Sequence, residues 1–232
     1  MITAVLTAGG TGSRMKNNIP KQFITVNEIP IIVYTLQKFQ NNKNVDRIII
    51  ACLKEWQPVL AAYAKEFHIS KLEKVVDGGA TGIESIQNCF KVLGEQQEDD
   101  LVMIHDGNRP LVDDDTIERN IEAANKAGAT TTYVDIHDGI VKVDDSLRIQ
   151  ESGFKREYIK STQTPHCFKH KIIESIFSKM HNGEEYISLA DAAVNMGYEV
   201  ALVKGSEINF KITTSNDKDL FESIINTRHD NV

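Results

Sequence analysis

Apolar positions along the chain fall into short unbroken runs separated by longer stretches of helical spacing. The runs occupy residues 3–7 (TAVLT), 47–53 (RIIIACL), 74–77 (KVVD), 101–105 (LVMIH), 130–134 (TTTYV) and 199–204 (EVALVK). Continuous rather than alternating apolar runs suit strands buried on both faces of a mostly parallel sheet. Between them, residues 30–39 open with Pro30, a residue suited to a first helical turn, and Val59, Tyr63 and Phe67 recur every four positions. Thr81 with Glu84 spells a capping box, followed by Ile83, Ile86, Phe90 and Leu93 at helical intervals. Asp113, Asp114 and Asp115 precede Ile117, Ile121 and Ala124, and Gly128 closes that helix. Strand and helix in alternation predict an α/β fold with a doubly wound, mostly parallel sheet.

One stretch breaks the rhythm. Residues 135–160 are too polar for a core, and Asp144-Asp145-Ser146 reads as a turn between two strand-like arms. The expectation is a β-hairpin arm projecting from the sheet, either a dimerisation arm or an ordinary surface hairpin. No repeat, low-complexity tract or linker interrupts residues 1–232, which are expected to form a single domain. The chain is 41% hydrophobic and 25% charged, and its 26 basic residues against 33 acidic ones give a net charge of −7. An acidic balance argues against a general nucleic-acid or membrane-surface binder, so cations needed for an anionic substrate must be concentrated locally. No apolar run is long enough to span a bilayer, the start lacks a basic leader region, and the three cysteines are odd in number and widely spaced. A cytoplasmic protein with reduced thiols is expected.

The strongest chemical signal follows the first strand: Ala8-Gly9-Gly10-Thr11-Gly12-Ser13-Arg14-Met15, then Pro20-Lys21-Gln22-Phe23. Glycines at such a turn let backbone N–H groups close on phosphate oxygens without interference from Cβ atoms. A dinucleotide fingerprint needs a third glycine where Met15 stands, and a Walker loop needs Gly-Lys-Ser/Thr, which is absent. What remains is a glycine turn with two fixed cations, Arg14 and Lys21, which suits a triphosphate whose leaving group is pyrophosphate.

Gly9-Gly-Thr-Gly-Ser-Arg-Met with Pro20-Lys-Gln-Phe resembles the signature of the cytidylyltransferases of the 2-C-methyl-D-erythritol 4-phosphate and ribitol 5-phosphate type. Four further segments resemble the same family in the same order: Gly78-Gly79 followed by Ser85; His105-Asp106-Gly107-Asn108-Arg109-Pro110; Arg156 with Thr162-Gln163-Thr164-Pro165; and Asn209-Phe210-Lys211-Ile212-Thr213. The resemblance runs from residue 1 to about 225. It implies a Rossmann-like nucleotidyltransferase fold, CMP transfer from CTP to a polyol phosphate with Mg²⁺, and a homodimer in which the arm reaches the partner's active site.

On that resemblance, Ala8, Gly9, Gly10 and Gly12 cradle the triphosphate with Arg14 and Lys21, and Gly79 and Ser85 hold the cytidine. Asp106 ligates Mg²⁺, since a hard cation among phosphates wants carboxylate oxygen. Lys211 reaches the α-phosphate, Arg156 and Thr164 grip the incoming substrate phosphate from the dimer partner, and Arg109 supports the acceptor. Taken without the family, Lys211 sits in an alternating strand-like NFKIT, where an exposed lysine is ordinary, and His166 and His170 read as a loop residue and a helix start. The sequence departs from the family pattern at Gly82 (commonly Arg), Asn108 (commonly a small residue), Gly139 (commonly Thr) and Ser188 (commonly Asp). These changes gather around the acceptor rather than the triphosphate. Lys54-Glu55-Trp56 resembles the ribitol branch and the seven-residue step from Arg14 to Lys21 the methylerythritol branch, which leaves ribitol 5-phosphate, feeding a teichoic acid or capsule, ahead of the isoprenoid precursor. Two rivals stand from other classes. One is a dehydrogenase on the same sheet, against which the missing third glycine counts; the other is a nucleotide-binding regulator without turnover.

Overall fold

The computed structural model describes residues 1–10, 19–181 and 186–229, with side chains as far as residue 227. Gly12 and Arg14 therefore lie outside the described residues. The sheet is built on β1 (Ile2–Ala8), β4 (Arg47–Cys52), β5 (Leu72–Asp77), β6 (Leu101–Asp106), β7 (Ala129–Asp135), β10 (Lys160–Lys169) and β11 (Ala201–Lys204), in the spatial order β11-β7-β10-β6-β1-β4-β5, while β2 (Thr25–Val26) and β3 (Ile29–Pro30) pair with each other apart from it. β1, β4, β5 and β6 run parallel, β11 is parallel to β7, and β10 is antiparallel to both its neighbours.

The apolar runs become the central strands because both of their faces are covered. Along β1, Ala4, Leu6 and Ala8 enter one core and Val5 the other; Ile48, Ile50 and Cys52 oppose Ile49 and Ala51 along β4 in the same way. The first core is closed by α1 (Ile31–Asn41), α2 (Gln57–Glu66) and α4 (Asp114–Ala127) through Leu36, Leu60 and Ile117. The second is closed by α3 (Gly82–Phe90), α5 (His170–Lys179) and α6 (Leu189–Asn195) through Ile86, Ile173 and Ala192. α7 (Ser215–His229) seals a smaller cluster in which Phe221 meets Val26, Ile31, Leu111 and Ile212. Cys52, Cys89 and Cys167 are all buried, and burial pushes each thiol up to about 12, which fits inert packing groups.

Helix boundaries follow their spelled signals. Thr81 Oγ1 accepts the Glu84 N–H at 3.1 Å, while the Glu84 carboxylate returns to the N–H of Ala80 at 2.7 Å. Asp113 caps α4 through Thr116 N at 2.6 Å, and Gly128 ends it at a φ of 87°. The arm holds β8 (Lys142–Val143) and β9 (Ile149–Glu151), paired antiparallel, with Asp144 Oδ1 accepting the N–H groups of Ser146 and Arg148 in the turn. Ile140, Val141, Val143, Leu147, Ile149 and Tyr158 are exposed along or beside it, Leu147 to 82%.

Two expectations need correction. His166 lies in no loop; it is buried inside β10, beside the register shift at the cis Thr164–Pro165 bond. Residues 209–213 form no strand, and the two buried residues within them, Asn209 and Ile212, are three positions apart rather than two, so burial does not follow the alternation of the sequence.

Candidate active site

The strand order reverses between β1 and β6, with β4 and β5 on one side and β10 and β7 on the other. Loops diverge at such a switch point and leave a crevice outside the carboxyl ends of the strands, where open α/β sheets place ligands. Parallel register sets Thr7 beside Asp106 and Ala8 beside Cys52, so the glycine turn after β1 and the acid ending β6 face the same crevice.

Two adjoining cavities occupy it. The first, about 230 Å³, is walled by Ala8, Gly9, Gly10, Lys21, Gly79, Thr81, Ser85 and Asn108. Its walls are backbone brought unusually close. A Cβ on Gly78 would lie 3.3 Å from Gly9 Cα, and one on Gly79 would lie 2.2 Å from Glu84 Cβ. The Ser85 hydroxyl is spent on structure: it accepts from Gly79 N at 3.0 Å and donates to the Thr81 carbonyl at 3.0 Å. The Pro20-Lys-Gln-Phe motif resolves into separate duties. Pro20 leads into a short 3₁₀ turn over Lys21–Phe23, the Gln22 side-chain amide donates to the Ala8 carbonyl, and Phe23 stacks on Trp56 at 4.6 Å, which leaves Lys21 on the cavity wall.

The second cavity, about 380 Å³, is lined by side chains from four elements: Ile83 and Ile86 of α3, Ile104 of β6, Thr162, Thr164 and His166 of β10, and Tyr186, Ile187 and Ser188 leading into α6, with Arg109 beside them. Ser188 caps α6 by accepting the Asp191 N–H at 3.1 Å. Thr7, Gly82, Asp106 and Lys211 line both cavities.

Asp106 is the hub. Its Oδ1 accepts from Lys211 Nζ at 3.0 Å, its Oδ2 from Arg109 Nε at 2.9 Å, and its own N–H donates to Thr164 Oγ1 at 3.0 Å. Burial pushes the Asp106 carboxyl upward, but the Lys211 and Arg109 cations outweigh it and hold it well below the usual carboxylate range. Beneath it, His105 shares Nδ1 with Thr164 Oγ1 at 3.1 Å and Nε2 with the Arg109 carbonyl at 3.0 Å. Burial lowers the pKa of both His105 and His166 to about 4, so each is neutral at pH 7; His166 meets Thr131 Oγ1 at 2.6 Å. Two neutral histidines and an ionised acid between two cations form an electrostatic platform for anions rather than a general-base relay.

Of the residues singled out from the sequence, Ala8, Gly9, Gly10, Lys21, Gly79, Ser85, Asp106, Arg109, Thr164 and Lys211 all line this crevice. Arg156 does not. It sits in an exposed 3₁₀ turn, Arg156–Tyr158, at the root of the arm and lines neither cavity of its own chain. Sequence reading missed Thr7, Gln22, Thr81 and Asn209. Asn209 is 1% exposed and donates to the Thr164 carbonyl at 2.9 Å and to Gln163 Oε1 at 3.2 Å, while its carbonyl accepts Arg109 Nη1 at 2.8 Å. Its place at the head of the NFKIT motif was the available signal.

The comparisons with known proteins agree with this geometry. Residues 2–227 match the family model described as 2-C-methyl-D-erythritol 4-phosphate cytidylyltransferase. A ribitol-5-phosphate cytidylyltransferase of Vibrio parahaemolyticus is 36% identical over 98% of this chain and 97% of its own. A 2-C-methyl-D-erythritol 4-phosphate cytidylyltransferase of Clostridium novyi is 37% identical over 96% and 95% respectively. The crystal structure of the 4-diphosphocytidyl-2C-methyl-D-erythritol synthase of Anaerococcus prevotii superposes with a TM-score of 0.84 at 25% identity, covering 97% of this chain and 96% of that one. With a glycine-walled cavity at the switch point, a cation-flanked acid beside it and matches running nearly end to end, the chain belongs to the 2-C-methyl-D-erythritol 4-phosphate cytidylyltransferase family, nucleotidyltransferases that use CTP.

Proposed function

We propose that the chain transfers CMP from CTP to ribitol 5-phosphate, forming CDP-ribitol and pyrophosphate for a teichoic acid or capsule, and that it does so in the cytoplasm as a homodimer of one-domain subunits. The observation that carries the reading is the Asp106–Lys211 pair shared by the two cavities. The nucleotide lies in the glycine-walled cavity, the acceptor phosphate enters from the other, and the two anions meet at Lys211. An acceptor phosphate oxygen attacks the α-phosphorus, the bond to the β-phosphate oxygen breaks, and pyrophosphate leaves. The nucleophile is already ionised, so no base is required, and catalysis consists of positioning and charge stabilisation.

Lys21 and Arg14 hold the triphosphate with the N–H groups after Ala8, Gly9, Gly10 and Gly12, and Lys211 takes the charge that develops at the α-phosphate. Gly79 and Ser85 shape the cytidine wall. Thr164 and Arg109 border the acceptor phosphate, Arg109 through the carboxylate it braces. Asp106 also fits Mg²⁺: such ions dehydrate reluctantly and bind through one or two carboxylates plus substrate phosphates. A single acid at the mouth of a phosphate cavity, with lone pairs left beyond its two hydrogen bonds, is that donor set. When bound, the ion would neutralise phosphate charge.

The homodimer rests on the arm. Its row of exposed apolar side chains is a surface that monomers rarely leave to water, and its root is fastened by Asp135 to Lys160 at 2.6 Å and Lys204 at 2.8 Å. Docked on a second copy, the arm delivers Arg156 to that copy's acceptor cavity. Mixing Arg156→Ala with Lys21→Ala chains then restores part of the activity that neither has alone; no restoration would sink the shared site. One feature favours 2-C-methyl-D-erythritol 4-phosphate as a second reading: Ile83, Ile86 and Ile104 offer an apolar wall for a methyl branch. Pyrophosphate release with CTP, Mg²⁺ and each acceptor tests both. Turnover on ribitol 5-phosphate alone supports the proposal, and turnover confined to the methylerythritol phosphate overturns it.

A further inference from the structure

We infer that Asn108 is a positioning residue for Lys211, holding the segment that carries the lysine in the orientation that aims its ammonium at the reacting phosphate. The inference rests on the role proposed above for Lys211. Residues 209–213 have no regular secondary structure, so no ladder of backbone hydrogen bonds fixes their path. They are tied to the turn after β6 instead. Asn108 Nδ2 donates to the Ile212 carbonyl at 2.6 Å, Ile212 N–H donates back to the Asn108 carbonyl at 2.9 Å, and Arg109 Nη1 donates to the Asn209 carbonyl at 2.8 Å. These bonds bracket Lys211 on both sides.

The turn is itself rigid. Gly107 N–H donates to the Thr7 carbonyl at 2.9 Å, and buried Thr35 of α1 donates to the Gly107 carbonyl at 2.9 Å. A Cβ at position 107 would lie 2.7 Å from Ile32 Cδ1 and 2.9 Å from the Thr7 carbonyl oxygen, so the backbone is pressed directly onto β1. Ile212 also anchors the segment, packing with Val26, Ile31, Leu111 and Phe221. Apolar packing is non-directional, so the orientation of the strip comes from hydrogen bonds. Its ends are held by Asn209 Nδ2 on the Thr164 carbonyl at 2.9 Å and by Thr213 N–H on Asp217 Oδ2 at 2.8 Å, and the paired bonds of Asn108 act at Ile212, next to the lysine, whose Nζ rests 3.0 Å from Asp106 Oδ1. Asn108 stands on the wall of the nucleotide-side cavity, 5% exposed.

A misplacement of about 1 Å at a reacting centre costs on the order of a hundredfold in rate. The test is a double-mutant cycle on pyrophosphate release, using Asn108→Ala, Lys211→Ala and the pair, with thermal melting as the check on folding. Asn108→Ala is expected to lower kcat ten- to a hundredfold with the KM for CTP changed less than threefold, and to have no further effect once Lys211 is gone. Should the alanine variant melt early, Asn108→Ser, whose hydroxyl is also too short to span to the Ile212 carbonyl, replaces it in the cycle. Equal losses in both backgrounds, or an unchanged kcat in the single variant, would overturn the inference while leaving Lys211 in place. A near-normal rate for Lys211→Ala would instead overturn the role of Lys211, and the inference with it.

Discussion

The two cavities that meet at Asp106 are made of different material. The nucleotide side is largely backbone: glycines at positions 9, 10 and 79, the caps of α3, and the lysine of a single 3₁₀ turn, drawn from short stretches of sequence. The acceptor side is side chains from α3, β6, β10 and the approach to α6, with Ile187 98% exposed at its rim. The backbone wall is least tolerant at Gly79, where a new Cβ would run into Glu84, while at Gly9 and Gly10 it would meet neighbours at ordinary contact distance. A wall of side chains can be re-lined one residue at a time; of the departures from the family pattern, Ser188 falls on it alone, Gly82 on both walls and Asn108 on the nucleotide side. With the cavities assigned as proposed above, that difference would let one transfer reaction serve different acceptors.

Experiments can break or sharpen that contrast. The largest effect is expected where the cavities share a residue. Asp106→Asn leaves Lys211 and Arg109 without their common counter-charge, and should cut kcat at least a hundredfold while raising the KM of both substrates; a change confined to one substrate would break the shared hub. Lys21→Ala belongs to the nucleotide side, where losing one fixed donor costs on the order of a hundred- to a thousandfold in kcat. Its melting temperature should stay within about 2 °C of wild type, so the loss reads as chemistry rather than unfolding. Gly79→Ala sharpens the backbone claim: its Cβ collides with Glu84, and CTP affinity by calorimetry should fall tenfold or more with the acceptor KM unchanged.

Acid should separate the two sides more gently. Burial holds His166, on the acceptor wall, at a pKa of about 4 against 6.5 when free. Between those values the unfolded chain binds a proton that the folded chain refuses. Its contribution to stability is therefore complete above about pH 6.5 and shrinks as pH falls, by up to about 3 kcal/mol near pH 4. Chemical denaturation across that range should show the slope, and His166→Gln should reduce it by its own share, leaving that of the equally buried His105. The smallest effect is at Ser188→Ala, which removes the α6 cap for about 1 kcal/mol. It should raise the acceptor KM a few-fold and leave CTP binding alone.

Much of this was readable from sequence, unevenly. β1, β4 and β6 were plain because both faces are buried, so their apolar runs are unbroken. β10 was not: Lys160–Lys169 contains Pro165, three hydroxyl residues and two lysines, a pattern that argues against an interior strand. It belongs there because Thr132 Oγ1 donates to the Pro165 carbonyl at 2.7 Å and Asn209 to that of Thr164, so neighbours meet polar groups that a sheet ladder leaves. Lys211 was found by motif, but its segment was mistaken for a strand: NFKIT alternates in sequence, yet burial falls on Asn209 and Ile212, which are fixed by tertiary hydrogen bonds and packing that the sequence does not show.

Sequence by itself determined the α/β alternation, the helix caps, the glycine turn and the cations written beside it, because each depends on residues a few positions apart. Only the tertiary structure decided that Asp106, Arg109, Thr164 and Lys211 share one set of hydrogen bonds, that Asn108 braces Ile212, and that Arg156 lines neither cavity of its own chain. Those partners are up to 105 positions apart. Nothing local in the chain encodes their meeting; it follows from where the strand order turns back and brings the carboxyl ends of β1 and β6 side by side.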